Sequence, residues 1–221
     1  MFYLIGYYQK ALKYYKNAVS LRSECALVNR SSFMILAQGN YEEFKHFLDS
    51  ICIITPCQQI CDMLRFYSCA IQKKYADAEK YYNKAVDAGY QPTFFDDVYI
   101  AFLYQETGKK EEALSLLNTL VRREEEYILH ANGRILINKA RKLQLAAYYA
   151  LLDENKKAIG CLSELEKEGI FEYPITLNAF PGFDNLRNDP EFKAIMKRIR
   201  DNQASLRAQV REMELRGEID L

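Results

Sequence analysis

The sequence predicts an all-α fold of helical hairpins, and three observations predict it. Apolar residues recur at spacings of three and four, not at alternate positions as a strand would require. One short motif returns five times along the chain. Prolines and glycines gather between the apolar stretches, where helices must stop. The 221 residues are 49% hydrophobic and 27% charged, enough for a sizeable core and unlike a disordered tail. Thirty Lys and Arg balance thirty Asp and Glu, so the basic excess of a phosphate-neutralising nucleic-acid binder is missing. Apolar runs such as Ile51-Cys52-Ile53-Ile54 are only a few residues long, against the roughly 20 a membrane-spanning helix needs.

The five copies are Gly6-x-Tyr8-x-x-Ala11-x-x-x-Tyr15-x-x-Ala18, Gly39-x-Tyr41-x-x-Phe44-x-x-x-Leu48-x-x-Ile51, Lys73-x-Tyr75-x-x-Ala78-x-x-x-Tyr82-x-x-Ala85, Gly108-x-Lys110-x-x-Ala113-x-x-x-Leu117-x-x-Leu120 and Asp153-x-Asn155-x-x-Ala158-x-x-x-Leu162-x-x-Leu165. Their first residues are 33, 34, 35 and 45 positions apart. The physical logic is the same in each copy. The first residue ends one helix (A) and turns the chain, which favours a residue able to take the left-handed conformation. The small residue five positions on lets the next helix (B) approach closely, and the larger ones after it fill the space between neighbouring units. Upstream, Val28-x-x-x-Ser32-x-x-Ile35, Ile60-x-x-Met63-Leu64-x-x-Tyr67, Val98-x-x-Ala101-x-x-Tyr104 and Leu143-x-x-Ala146-x-x-Tyr149 give the A helices. Pro56 and Pro92 fall after B helices.

This pattern resembles the tetratricopeptide repeat, a unit of 34 residues folded as helix-turn-helix. The resemblance implies a right-handed α-solenoid of stacked hairpins over residues 1–169. Residues 170–221 would form a loop and a long C-terminal capping helix. It also implies a concave ligand surface lined by the A helices. Carried across by position, the groove residues are Asn29 and Phe33, then Met63 and Tyr67, then Val98, Phe102 and Gln105, then Leu143 and Ala147. The family's clamp for acidic peptide C-termini needs Lys, Arg and Asn where Phe33, Tyr67 and Phe102 stand, so an apolar helix or extended peptide is the expected occupant. Two alternatives remain at this point. The groove is open to a partner, favoured because units touch chiefly through their other faces, or it is filled by the chain's own tail.

Two departures are expected to matter. The first unit has only a B helix, because residues 1–5 are too short for an A helix; either an end is exposed or the chain was cut from a longer one. About ten extra residues within 122–133 should lengthen helix B of the fourth unit or helix A of the fifth, and bend the array there. Residues 175–183, with Pro174, Pro181 and Gly182, read as loop or short turns. Asp189 then caps a helix that begins with Pro190. The stretch 184–193 resembles the closing segment that follows repeat arrays in bacterial transcription regulators, cyclases and kinases, which implies a bacterial regulatory setting. Along the final helix Ile195, Met196, Ile199, Leu206, Val210 and Met213 form one stripe, interrupted by Asn202 and Gln203. It either caps the last unit or pairs with a second copy, giving a homodimer.

Little here suggests chemistry. The two histidines, His46 and His130, are far apart, no phosphate-cradling glycine loop occurs, and Glu124-Glu125-Glu126 reads as a solvated helix face. His46, Cys52, Cys57 and Cys61 could be weighed as a metal site, but the second close pair of ligands is missing. Without a leader-like N-terminus the expected compartment is the cytoplasm, or the periplasm if the chain is part of a membrane regulator. A reducing compartment argues against disulfides, so the six cysteines read as packing residues. The expected function is therefore a non-catalytic protein-interaction scaffold with no cofactor, no metal and no nucleic acid. A structural oligomerisation module is the alternative.

Overall fold

A computed structural model describes residues 40–52, 58–93, 96–130, 135–168 and 179–219, together with Lys13, Asn17, Ile35, Leu36 and Leu177. Every regular element among them is helical. The helices are α1 (Tyr41–Ile51), α2 (Gln58–Ile71), α3 (Tyr75–Asp87), α4 (Asp97–Glu106), α5 (Lys110–His130), α6 (Ile135–Leu151), α7 (Asn155–Lys167) and α8 (Pro190–Leu215), with a short 3-10 helix at Pro181–Leu186. The anchors at Gly6 and Gly39, and the first A helix (Val28, Ser32) apart from Ile35, lie outside the described residues.

Three hairpins, α2–α3, α4–α5 and α6–α7, pack in chain order, and α4 touches both α2 and α6. Their turns are built alike. Lys73, Gly108 and Asp153 take φ of 60°, 83° and 58°. The residue after each donates its N–H five positions back: Lys74 to Cys69, Lys109 to Tyr104 and Glu154 to Tyr149, each at 2.9 Å. This left-handed cap satisfies carbonyls that a helix end would otherwise leave orphaned. Glycine takes that conformation freely, whereas it costs Lys73 and Asp153 about 1–2 kcal/mol each. Ala78, Ala113 and Ala158 follow five residues on and are fully buried. Each donates its N–H to Lys74, Lys109 or Glu154 as helix B begins. The larger residues expected after them, Leu117, Leu120, Leu162 and Leu165, are buried too, as is Ala85.

The extra residues of the fourth interval lengthen both neighbouring helices. Helix α5 has 21 residues where α3 and α7 have 13, and α6 has 17 where α4 has 10. In the second copy α1 starts at Asn40, whose side chain accepts the Glu43 N–H, and Phe44 and Leu48 are buried. At the far end Asp189 accepts the N–H groups of Glu191 and Phe192, and α8 runs 26 residues from Pro190. Phe192, Ile195, Met196, Ile199 and Val210 are buried, and so is the polar Gln203. The first half of α8 packs on α7.

Three sequence expectations need correction. Cys52 and Cys61 are joined by a disulfide, with Cα atoms 6.1 Å apart, so they are not a pair of core thiols. Cys69 and Cys161 are free, and Cys25 and Cys57 lie outside the described residues. Glu124 is not on a solvated face: it is fully buried. Most groove candidates are also buried, as set out below. No helix among the described residues is long and apolar enough to cross a membrane.

If the alanines set the helix crossings, Ala78→Leu and Ala113→Leu should each destabilise the chain by about 1–3 kcal/mol in urea unfolding, the usual cost of overpacking. Unchanged midpoints would mean the alanines are not at the crossings.

Candidate functional site

The A-helix face is formed by α2, α4 and α6. Of the nine groove candidates, Asn29 and Phe33 lie outside the described residues. Met63, Tyr67, Val98, Phe102, Leu143 and Ala147 are buried, and Gln105 is partly buried. Gln105 Nε2 donates to the Leu151 carbonyl at 2.8 Å, so it ties α4 to the end of α6.

The described part of this face is filled from within. Phe180 is fully buried, with ring centroids 4.8 Å from Tyr99 and 5.7 Å from Phe102, both edge-on. Beyond it Phe183 stands edge-on to Phe180 at 5.8 Å and leads to Phe192 of α8 at 6.2 Å. On the other side Tyr99 pairs with Tyr67 at 4.9 Å and Phe66 at 6.4 Å. A continuous series of rings thus runs from α2 through α4 to α8. Edge-to-face pairs of this kind add about 0.5–1.5 kcal/mol each beyond burial. Gly182 makes the approach possible, since a Cβ there would lie 2.2 Å from Phe180 Cε1. Of the two alternatives, an open groove and one filled by the chain's own tail, the described face fits the second, which was not the favoured one.

Polar contacts lock that segment at its rim. Lys73 Nζ, at the turn of the first hairpin, donates to Asp184 at 2.8 Å, and Arg187 Nε donates to the same carboxylate at 2.7 Å. Partial burial works against ionisation, but these two cations hold the Asp184 carboxyl below its ordinary value. Arg187 also donates to the carbonyls of Leu177 and Phe180. Asn185 Nδ2 donates to the Ala150 carbonyl at 2.9 Å and to the side chains of Asp153 and Asn155. The turn residues of two hairpins, Lys73 and Asp153, therefore also hold the closing segment.

Three buried carboxylates tie helices together, Asp62 within the first hairpin and Glu124 and Asp96 where hairpins meet. Asp62 of α2 receives Arg65 at 3.3 Å and Lys84 of α3 at 3.2 Å, and Arg65 reaches on to Asp49 of α1 at 3.3 Å. Glu124 of α5 receives Arg123 at 2.8 Å and Arg141 of α6 at 2.6 Å, while Arg123 also reaches Asp97 of α4 at 2.7 Å. The Arg141 guanidinium lies 3.7 Å from the Tyr127 ring centroid. Asp96, before α4, has only neutral donors among the described residues: the hydroxyls of Tyr67 and Tyr90 and the Thr93 N–H. Burial pushes its carboxyl up to about 6; the Thr93 N–H opposes this and Asp97 adds to it.

No catalytic pairing emerges from these groups. The carboxylates are engaged in structural contacts, and the Cys161 thiol is pushed up to about 11, chiefly by burial. Among the described residues no three metal-ligating side chains converge. Comparison of the chain with protein-family models, curated proteins and solved structures finds no match.

Two outcomes follow. Phe180→Ala and Phe102→Ala should each cost about 3–5 kcal/mol in denaturant unfolding, as large-to-small core changes do; near-neutral values would mean the rings sit on an adjustable surface. Asp96 should make stability pH-dependent. Its folded pKa lies above the ordinary 3.8, so between these values the folded chain holds a proton that the unfolded chain lacks. Stability from this group therefore falls as pH rises from about 4 to 6, by about 2–3 kcal/mol. Asp96→Asn should remove that part of the slope in urea melts, and parallel profiles for the two proteins would contradict it.

Proposed function

We propose that the chain is a non-catalytic scaffold for protein–protein contact, built as a tetratricopeptide-like right-handed array and serving a larger bacterial regulatory protein in the cytoplasm. The observation that carries this reading is the A-helix face holding an aromatic segment, Phe180 edge-on to Tyr99 and Phe102. A face that seats Phe-Pro-Gly-Phe within one chain has the chemistry to seat an aromatic peptide or helix from another. The common turn and alanine register of the three hairpins supports the repeat reading. The resemblance of residues 184–193 to closing segments of bacterial regulators supports the setting.

The alternative, self-association through α8, has less support. Of the α8 stripe, Ile195, Met196, Ile199 and Val210 are buried and Leu206 partly so without a second chain, and Leu215 is strongly exposed near its end.

Affinity purification from the native host with chemical cross-linking tests the scaffold. A stoichiometric partner is expected, cross-linked near Lys73 and Lys109 at the turns and displaced by a synthetic peptide of residues 177–187. Recovery of the chain without a partner, or a partner that this peptide leaves in place, would end the reading.

A further inference from the structure

The joint between α1 and α2 differs in kind from the two that follow it. Between the hairpins α2–α3 and α4–α5 the boundary carries Asp96 and its two tyrosines, and between α4–α5 and α6–α7 it carries Glu124 and its arginines. At the α1–α2 joint a covalent bond joins Cys52, the residue capping the end of α1, to Cys61 in the first turn of α2. The parallel Asp49–Arg65 ion pair at 3.3 Å involves an aspartate that is 53% exposed, and such pairs contribute little.

We propose that Cys52–Cys61 is a reversible thiol–disulfide switch, opened by a dithiol reductant at Cys52, that sets how firmly α1 is docked on the hairpins beyond it. The two sulfurs are unequal. Cys52 is partly exposed, while Cys61 has no accessible surface. An incoming thiolate therefore attacks Cys52 Sγ. The Cys52–Cys61 bond breaks, its electron pair leaves on Cys61 Sγ, and that sulfur takes up a proton. A second thiol on the same reductant then attacks the reductant's own sulfur in the mixed disulfide and releases Cys52, which is protonated in turn. The reductant ends as a cyclic disulfide and the protein has gained two electrons and two protons. A monothiol leaves the mixed disulfide facing the adjacent Cys61, which re-closes the bond, so a dithiol is the class of reductant the site favours.

The surrounding thiols fit reversible chemistry better than a structural framework. Secreted scaffolds pair their cysteines throughout, whereas among the described residues the Cys52–Cys61 bond stands beside the free Cys69 and Cys161. Burial raises the pKa of both free thiols, which keeps them protonated and slow to exchange. Among the described cysteines, exchange is thereby confined to the α1–α2 joint. Once open, α1 keeps its buried Phe44, Phe47 and Leu48 but loses the tie at its C-terminal end.

The test uses the full chain carrying Cys57→Ser, so that a third cysteine lying between the two in sequence takes no part. Peptide mapping after iodoacetamide trapping should find residues 52 and 61 linked in air. Dithiothreitol should open the bond at least about tenfold more readily than glutathione at equal thiol concentration. Hydrogen exchange should then quicken across residues 41–52, by about tenfold, with α6 and α7 unchanged and protection restored on reoxidation. Cys52→Ser with Cys61→Ala should show the fast exchange in either buffer. Alkylated thiols at both positions under oxidising conditions would overturn the proposal. So would equal opening by mono- and dithiols, unchanged exchange in 41–52 after opening, or global unfolding on reduction or in the double variant, which would make the bond a structural one.

Discussion

Each hairpin closes because a methyl group stands where its two helices cross. Ala78, Ala113 and Ala158 have no accessible surface, and a larger side chain there would force the helices apart. The left-handed residue five positions earlier brings the chain round to that crossing, and the backbone bond spanning it fixes the angle of entry. Everything further out depends on this spacing. With the hairpins closed, α4 lies between α2 and α6, and their aromatic side chains form one face on which Phe180 can sit.

Apolar seams between helices are tolerant of sliding, and the three buried carboxylates remove that tolerance. Burying a carboxylate costs several kcal/mol unless its oxygens are satisfied, so a joint that shifts by one turn loses its partners and bears that cost. The chain meets the requirement in different ways. Asp62 and Glu124 use cations drawn from adjacent helices, whereas Asp96 uses hydroxyls and an N–H. The difference has an electrostatic consequence. With no cation opposite it, Asp96 is the carboxylate whose ionisation burial disfavours.

Much of this architecture was legible because each hairpin is a local object. A turn residue, a small residue five later and apolar spacings of three and four all lie within one stretch of chain, and Asp189-Pro190 wrote the start of α8 in the same local way. The misreadings share a different character. Glu124 looked like part of a charge run, yet it continues the stripe Ala113, Leu117 and Leu120 at helical spacing, and that signal was available. The Cys52–Cys61 bond depends on a redox state that residue spacing does not encode. Phe180 was visible as an aromatic in a loop, but nothing local states where a loop between prolines comes to rest. An open groove was accordingly favoured over a self-filled one.

The seating of Phe180 on α4 also has a bearing on synthesis. The rings that receive it, Tyr99 and Phe102, precede it by about 80 residues, and the Lys73–Asp184 contact spans 111. At roughly 5–20 residues per second, a ribosome takes about 4–16 s to make the intervening chain. Hairpins can form one by one as they emerge, but for that interval their shared aromatic face stays wet and adhesive. Ribosome pausing between α4 and the 3-10 helix would prolong the exposure of that face.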